Sequence, residues 1–219
     1  MEIYVRGADV RIKELKEKLG DKHVYTTFNN SGGISFDNAD IVFDLNLDDH
    51  PEEINDYKSI KGILVVSCLK YDLNKMTEDF KNKATVVGLN ALPGFINREV
   101  WEMSALEDSA KKVFESHFPE LKVQWVRDRV GMISPRVLAM IINEACFTLE
   151  EGTANVEDID KGMKLGTNYP YGPFEWADKI GIDQIYEILY ALSKDTGDER
   201  FKICSTLKEK ARLKASFYN

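Results

Sequence analysis

Short apolar runs alternate with amphipathic stretches over the first 128 residues, and the rhythm then becomes wholly helical. Ile3-Tyr4-Val5 opens the series. His23–Phe28, Asp40–Leu45, Gly62–Ser67, Ala84–Leu89 and Val123–Val126 follow as further strands. They are rich in β-branched and aromatic residues, and the continuous apolar runs suit strands covered on both faces of a parallel sheet. Between them, Ile12, Leu15 and Leu19 recur at helical spacing with Gly20 as a stop. Ala110, Val113, Phe114 and Phe118 form a second stripe ended by Pro119. Strand–helix alternation of this kind predicts a doubly wound α/β domain.

Beyond Asp128 four helices are expected. Ser134 caps the first, with Pro135 at its first position and Gly152 at its end; Val137, Leu138, Ile141, Ile142, Ala145 and Leu149 give it a broad apolar face. Asn155 caps the second. Pro173 starts the third, which stops at Gly181, and Asp183 caps the fourth. The division is therefore 1–128, an α/β domain, and 129–219, an all-α domain packed directly against it. Helix faces this broad exceed what four short helices bury among themselves, which predicts a homodimer through the helical domain.

Composition narrows the functional classes. The chain has 219 residues, with 29 Lys plus Arg against 37 Asp plus Glu, a net charge of −8. No basic patch stands out, so a nucleic-acid partner is not expected. No apolar run reaches the ~18 residues of a membrane span, and the first residues read as a strand rather than a signal peptide. Cys68, Cys146 and Cys204 lack paired spacing, which argues against a zinc knuckle or disulfide framework and for a reducing cytoplasm. The acidic stretch from Asp44 to Glu53 reads as a solvated loop, since no histidine–carboxylate spacing frames a metal site. His23, His50 and His117 read as structural or solvated. The basic tail from Arg200 to Lys214 reads as an exposed helix face, with CoA phosphates as the alternative contact.

A strand, a glycine and a helix at the start of an α/β domain invite a test for dinucleotide binding. That site needs glycines at fixed offsets, so that backbone N–H groups reach the pyrophosphate and the helix packs close. Only the first, Gly7, is present; Asp9 takes the second position and Ile12 the third. Asp9 would set a carboxylate against phosphate. No acid follows the second strand, where Phe28 runs into Asn29-Asn30-Ser31-Gly32-Gly33. That glycine pair reads as a plain turn, with a phosphate cradle as the alternative.

The helical half carries ordered strings: Asp128-Arg129-Val130-Gly131-Met132-Ile133-Ser134-Pro135-Arg136, Asn143-Glu144-Ala145, Glu151-Gly152, Val156–Asp160, and Gly166-Thr167-Asn168-Tyr169-Pro170-Tyr171-Gly172-Pro173-Phe174-Glu175-Trp176-Ala177-Asp178. Gly181-Ile182-Asp183 and the ending Ser216-Phe217-Tyr218-Asn219 complete the pattern. It resembles the C-terminal domain of the 3-hydroxyacyl-CoA dehydrogenases, over about residues 84–219, whereas residues 1–83 match only in strand order. The resemblance implies a Rossmann-like NAD domain, shortened here between its second and fourth strands, followed by a helical domain that dimerises and helps hold an acyl-CoA. It also implies an activity, NAD-dependent oxidation of a 3-hydroxyacyl-CoA, in which a His–Glu pair removes the hydroxyl proton while Ser and Asn side chains hold the substrate.

The residues depart from that scheme. The family's His-Phe-Phe-Asn-Pro string falls on Asn90-Ala91-Leu92-Pro93-Gly94, so Asn90 replaces the histidine, while Glu102 keeps the position of its glutamate. A carboxamide accepts no proton near neutral pH. The substrate asparagine falls on Pro135. The substrate serine falls within Ser67-Cys68-Leu69-Lys70, with Lys70 on the substrate side in one of the registers open there. These losses predict a member without the ancestral oxidation. Three functions stay open: an NAD(H) oxidoreductase working through different residues, a non-catalytic binder of an acyl-CoA or other thioester, and a structural or regulatory dimerisation partner. No metal is expected.

Overall fold

A computed structural model describes residues 1–82 and 84–218; Asn219, the last residue of the terminal string, lies outside them. The chain falls into two compact units, Met1–Met132 and Ile133–Asn219. Among the described residues the first holds seven strands: β1 (Glu2–Arg6), β2 (Val24–Thr27), β3 (Ile41–Asp44), β4 (Ile63–Ser67), β5 (Thr85–Leu89), β6 (Val100–Ser104) and β7 (Lys122–Val126). Their order across the sheet is β2-β1-β3-β4-β5-β6-β7. All neighbours are parallel except β5 and β6. The fold is thus a reduced Rossmann-like doubly wound sheet followed by an all-α unit.

The apolar runs become the central strands because both sheet faces are covered there. Every residue of β3 and β4 is buried. Helix α1 (Asp9–Leu19) packs on one face through Leu15 and Leu19, beside α3 (Asp108–His117), which contributes Phe114. Trp101 and Met103 of β6 join the same core. The short α2 (Leu73–Thr77) is capped by the Asp72 side chain, which accepts from Lys75 N–H.

β6 is not among the runs that the apolar pattern singles out. In Val-Trp-Glu-Met-Ser, Val100 is exposed and Glu102 half-buried, whereas Trp101, Met103 and Ser104 are buried, so the apolar signal is broken into single positions. It runs antiparallel because the loop from Asn90 to Glu99 doubles back directly on β5.

The helical unit holds α4 (Ser134–Glu150), α5 (Val156–Thr167), α6 (Pro173–Ile180), α7 (Ile182–Thr196) and α8 (Ser205–Leu213). Asn155 caps α5, its side chain accepting from Asp158 N–H. Two expected caps fall one or two residues inside their helices. Ser134 is already helical, with Ile133 at the cap position. Asp183 lies within α7, because Gly181, at φ +105°, both ends α6 and opens α7 and leaves no linker to cap.

His23 at the mouth of β2 has both ring nitrogens buried without a hydrogen-bond partner among the described residues. Its ring stands edge-on to Tyr25 and Phe118. Burial lowers its pKa below 6.5, and the terminal amine of Met1 and Lys22 act in the same direction against Glu120. The fold therefore disfavours the charged form, and the unfolded chain binds the proton more readily. Stability is full above about pH 6.5 and falls as pH drops below it. His23→Phe is expected to flatten that acid slope, read as urea midpoints at about pH 5 and pH 7.5.

Candidate functional site

In open α/β sheets, ligands bind outside the carboxyl ends of the strands, where strand order reverses. Here that point lies between β1 and β3. The protein fills it with its own groups. Arg6, the last residue of β1, faces Asp44, the last residue of β3, at 3.2 Å and also pairs with Glu53. The Tyr57 hydroxyl donates to Asp44 Oδ2 at 2.6 Å, and Asn46 N–H donates to Oδ1. Asp44 is fully buried; burial pushes its carboxyl upward against the opposing pull of Tyr57 and Arg6. The reading of Asp44–Glu53 as a solvated loop is corrected here. Asp44 and Asp48 are both buried, because the strand ends supply them with donors; Leu69 N–H bonds Asp48 Oδ2 at 3.0 Å.

The turn from β1 into α1 shows why Gly7 is a glycine. A Cβ there would meet Leu45 Cβ at 3.0 Å. Its φ is not in the left-handed region, so the requirement is close approach to β3 rather than backbone freedom. Arg11, one turn into α1, is buried and its guanidinium donates to Leu45 O and to Asn46 Oδ1. Asp9 sits in the first turn of the helix, where a carboxylate satisfies the helix dipole by itself. A pyrophosphate does not fit this turn. The N-terminus already carries the anionic side chain of Asp9, and Ile12 stands where a glycine would let the helix pack close. The alternative cradle at Ser31-Gly32-Gly33 is also engaged: Ser31 Oγ donates to Asp56 at 2.8 Å and Gly32 N–H to Asn30 Oδ1 at 2.9 Å.

Asn90 and Glu102 are brought together at the end of β5. Asn90 N–H donates to Glu102 O at 3.0 Å, and the Asn90 carboxamide reaches Glu102 Oε2 at 3.4 Å. Asn90 is 2% exposed, and its Oδ1 accepts from Leu92 N–H. The carboxamide therefore spends its polar atoms on the protein. Arg98 lies nearby with its guanidinium 3.5 Å from the Phe95 ring centre, attracted by both Glu102 and Glu14. Glu14 accepts from Gly94 N–H through both oxygens. Neither Glu14 nor Arg98 was singled out by sequence pattern; Glu14 sits 80 positions from its partner Gly94.

Lys70 follows the carboxyl end of β4 and pairs with Asp49. Pro135 belongs to the other unit, buried in the first turn of α4. Cys68, Cys146 and Cys204 are free and buried, and burial raises each thiol pKa. Among the described residues no three His, Cys, Asp or Glu side chains are grouped to hold a metal, and no helix is long and apolar enough to cross a membrane.

Residues 131–216 match the family model of the 3-hydroxyacyl-CoA dehydrogenase C-terminal domain. The 3-hydroxyadipyl-CoA dehydrogenase of Escherichia coli is 42% identical over 92 residues, which is 42% of this chain and 19% of that one. A probable 3-hydroxybutyryl-CoA dehydrogenase of Bacillus subtilis is 43% identical over 84 residues, 38% of this chain and 29% of that one. The matched stretch thus spans less than a third of the length of these relatives. Among solved structures, an (S)-3-hydroxybutyryl-CoA dehydrogenase from Ralstonia eutropha superposes with a TM-score of 0.75, covering 97% of this chain and 93% of that one at 21% identity, a likeness of fold.

Proposed function

The chain belongs, through residues 131–216, to the 3-hydroxyacyl-CoA dehydrogenase family, and from that premise we propose that it does not carry out NAD-dependent oxidation of a 3-hydroxyacyl-CoA and instead acts as a non-catalytic acyl-thioester binder. The observation that carries this reading is the buried Asn90 carboxamide against Glu102. Abstraction of a hydroxyl proton needs an acceptor near neutral pH, and an amide is not one. The Gly7–Arg11 turn supports the same reading from the cofactor side. The match of residues 131–216 to the C-terminal domain of the 3-hydroxyacyl-CoA dehydrogenases supports an acyl thioester as the ligand class. The three buried free thiols suit a reducing compartment such as the cytoplasm.

Ligand-induced thermal shifts with NADH and with acetoacetyl-CoA test it. Acetoacetyl-CoA is expected to raise the melting temperature and NADH to leave it unchanged. Asn90→His is expected to restore no loss of nicotinamide absorbance, because the turn at Gly7 is untouched. A shift with NADH together with turnover would overturn the reading.

Dimerisation through the helical unit belongs to the same proposal. Ile133 at the cap of α4 and Val137 one turn on are 56% and 52% exposed, and Leu165 of α5 is 78% exposed. These apolar side chains support a contact surface on the helical unit. Sedimentation at micromolar concentration is expected to give about twice 25.0 kDa, and Val137→Asp to return the monomer. A 25 kDa species for the unaltered chain would refute this.

A further inference from the structure

The free edge of the sheet at β2 carries an assignment of its own. β2 has one neighbour, β1. Val24 N–H donates to Met1 O at 3.0 Å and Phe28 N–H to Val5 O at 3.1 Å. Residues alternate in direction along a strand, so Val24, Thr26 and Phe28 serve β1 while the main-chain groups of Tyr25 and Thr27 face outward. Neither outward N–H has a hydrogen-bond partner among the described residues. Two donors and two acceptors at strand spacing are a template for another extended backbone.

Folded proteins guard such edges with charge, proline or a bulge. Residues 24–28, Val-Tyr-Thr-Thr-Phe, contain none of these, and Val24 is 57% exposed. A second observation stands beside the edge. A cleft of about 590 Å³ opens on the α1 side, lined among others by Ile12, Lys13, Lys16, Glu17 and Thr27.

We propose that β2 pairs with β2 of a second copy of this chain, antiparallel about a two-fold axis at Thr26. Tyr25 of each copy then exchanges both main-chain hydrogen bonds with Thr27 of the other, four bonds in all. The register sets Val24 against Phe28 and Thr26 against Thr26, pairs that suit a pleated surface. It sets Lys22 against Asn30, so no like charges oppose each other. The side chains of Tyr25 and Thr27 point to the α1 side: Tyr25 Oη donates to Gly20 O at 2.7 Å, and Thr27 lines the cleft. An added strand therefore sends its own Tyr25 and Thr27 over that cleft. The cleft wall carries both signs of charge, Lys13 and Lys16 against Asp9, Glu17 and Asp21, which a two-fold contact matches with itself. The contact is small, so association falls in the range of about 100 µM or weaker.

The test uses the full chain carrying Val137→Asp, so that association through the helices does not contribute. Sedimentation is expected to show 25 kDa at low micromolar concentration and a rise toward twice that mass at several hundred micromolar. Thr26→Lys puts two lysines face to face across the axis while its N–H stays on β1, and is expected to weaken association about tenfold or more. Thr26→Glu does the same, and an equimolar mixture of the two variants restores it. A constant 25 kDa species, association that ignores Thr26→Lys, or a mixture that stays monomeric overturns the proposal.

Discussion

Replacing Arg6 with methionine is expected to lower the stability of the sheet unit by about 3–5 kcal/mol, the cost of leaving a buried charge without its counterion. Asp44 is completely buried, and without the guanidinium Tyr57 Oη and Asn46 N–H are what remains to hold it among the described residues. Burial already raises the Asp44 pKa, with Arg6 opposing that shift. Removing Arg6 takes away a pull that opposes this rise, so the folded pKa moves further above its unfolded value. A group whose folded pKa is raised gives stability at low pH that is lost as pH rises through that value. The loss in Arg6→Met is therefore larger at about pH 8 than at about pH 5. Adding Asp44→Asn to Arg6→Met recovers part of the loss, because the orphaned charge is gone. Urea unfolding of the three chains at the two pH values checks this; equal stabilities of Arg6→Met and the parent would exclude it.

The second large effect lies in the helical unit. Asp160, 1% exposed in the second turn of α5, accepts from Phe174 N–H at 2.8 Å, from Glu175 N–H at 2.9 Å and from Tyr218 Oη at 2.9 Å. It thus serves the start of α6 from a neighbouring helix, in the role that N-capping side chains play locally. Gly172 has to be a glycine beside it, since a Cβ there would sit 2.2 Å from Asp160 Cγ. Asp160→Ala is expected to cost about 3 kcal/mol or more, because it strands buried donors. Tyr218→Phe removes one of the three bonds and is expected to cost about 1 kcal/mol. Thermal unfolding of both variants measures the ratio; equal losses would show that the tail hydroxyl, not the helix start, dominates.

These two networks mark the limit of what the amino-acid order discloses. The apolar runs at Ile41–Asp44 and Ile63–Ser67 are legible because complete burial leaves an unbroken β-branched signature. Asn155 and Gly20 are legible because caps act within a turn of their own helix. Arg6 and Asp44 stand 38 positions apart and meet only through strand order, and a run of acids in a loop gives no sign that two of them are buried. Asn90 and Glu102 came into view through family resemblance rather than spacing. The structure adds that a doubled-back loop is what joins them. The glycines missing at Asp9 and Ile12 are plain in the amino-acid order, whereas the bond from Arg11 across to Leu45 O is not.

The contact between Gly7 and Leu45 has a consequence for the history open to this protein. Any side chain at Gly7 would push on Leu45, 3.0 Å from the position of its first carbon, and Arg11 is bonded across to Leu45 O, so the start of α1 is tied to β3 from two sides. A change at either residue disturbs the strand pair as well as the helix. Drift in this turn is therefore confined to Ala8, Asp9 and Val10, whose side chains are exposed.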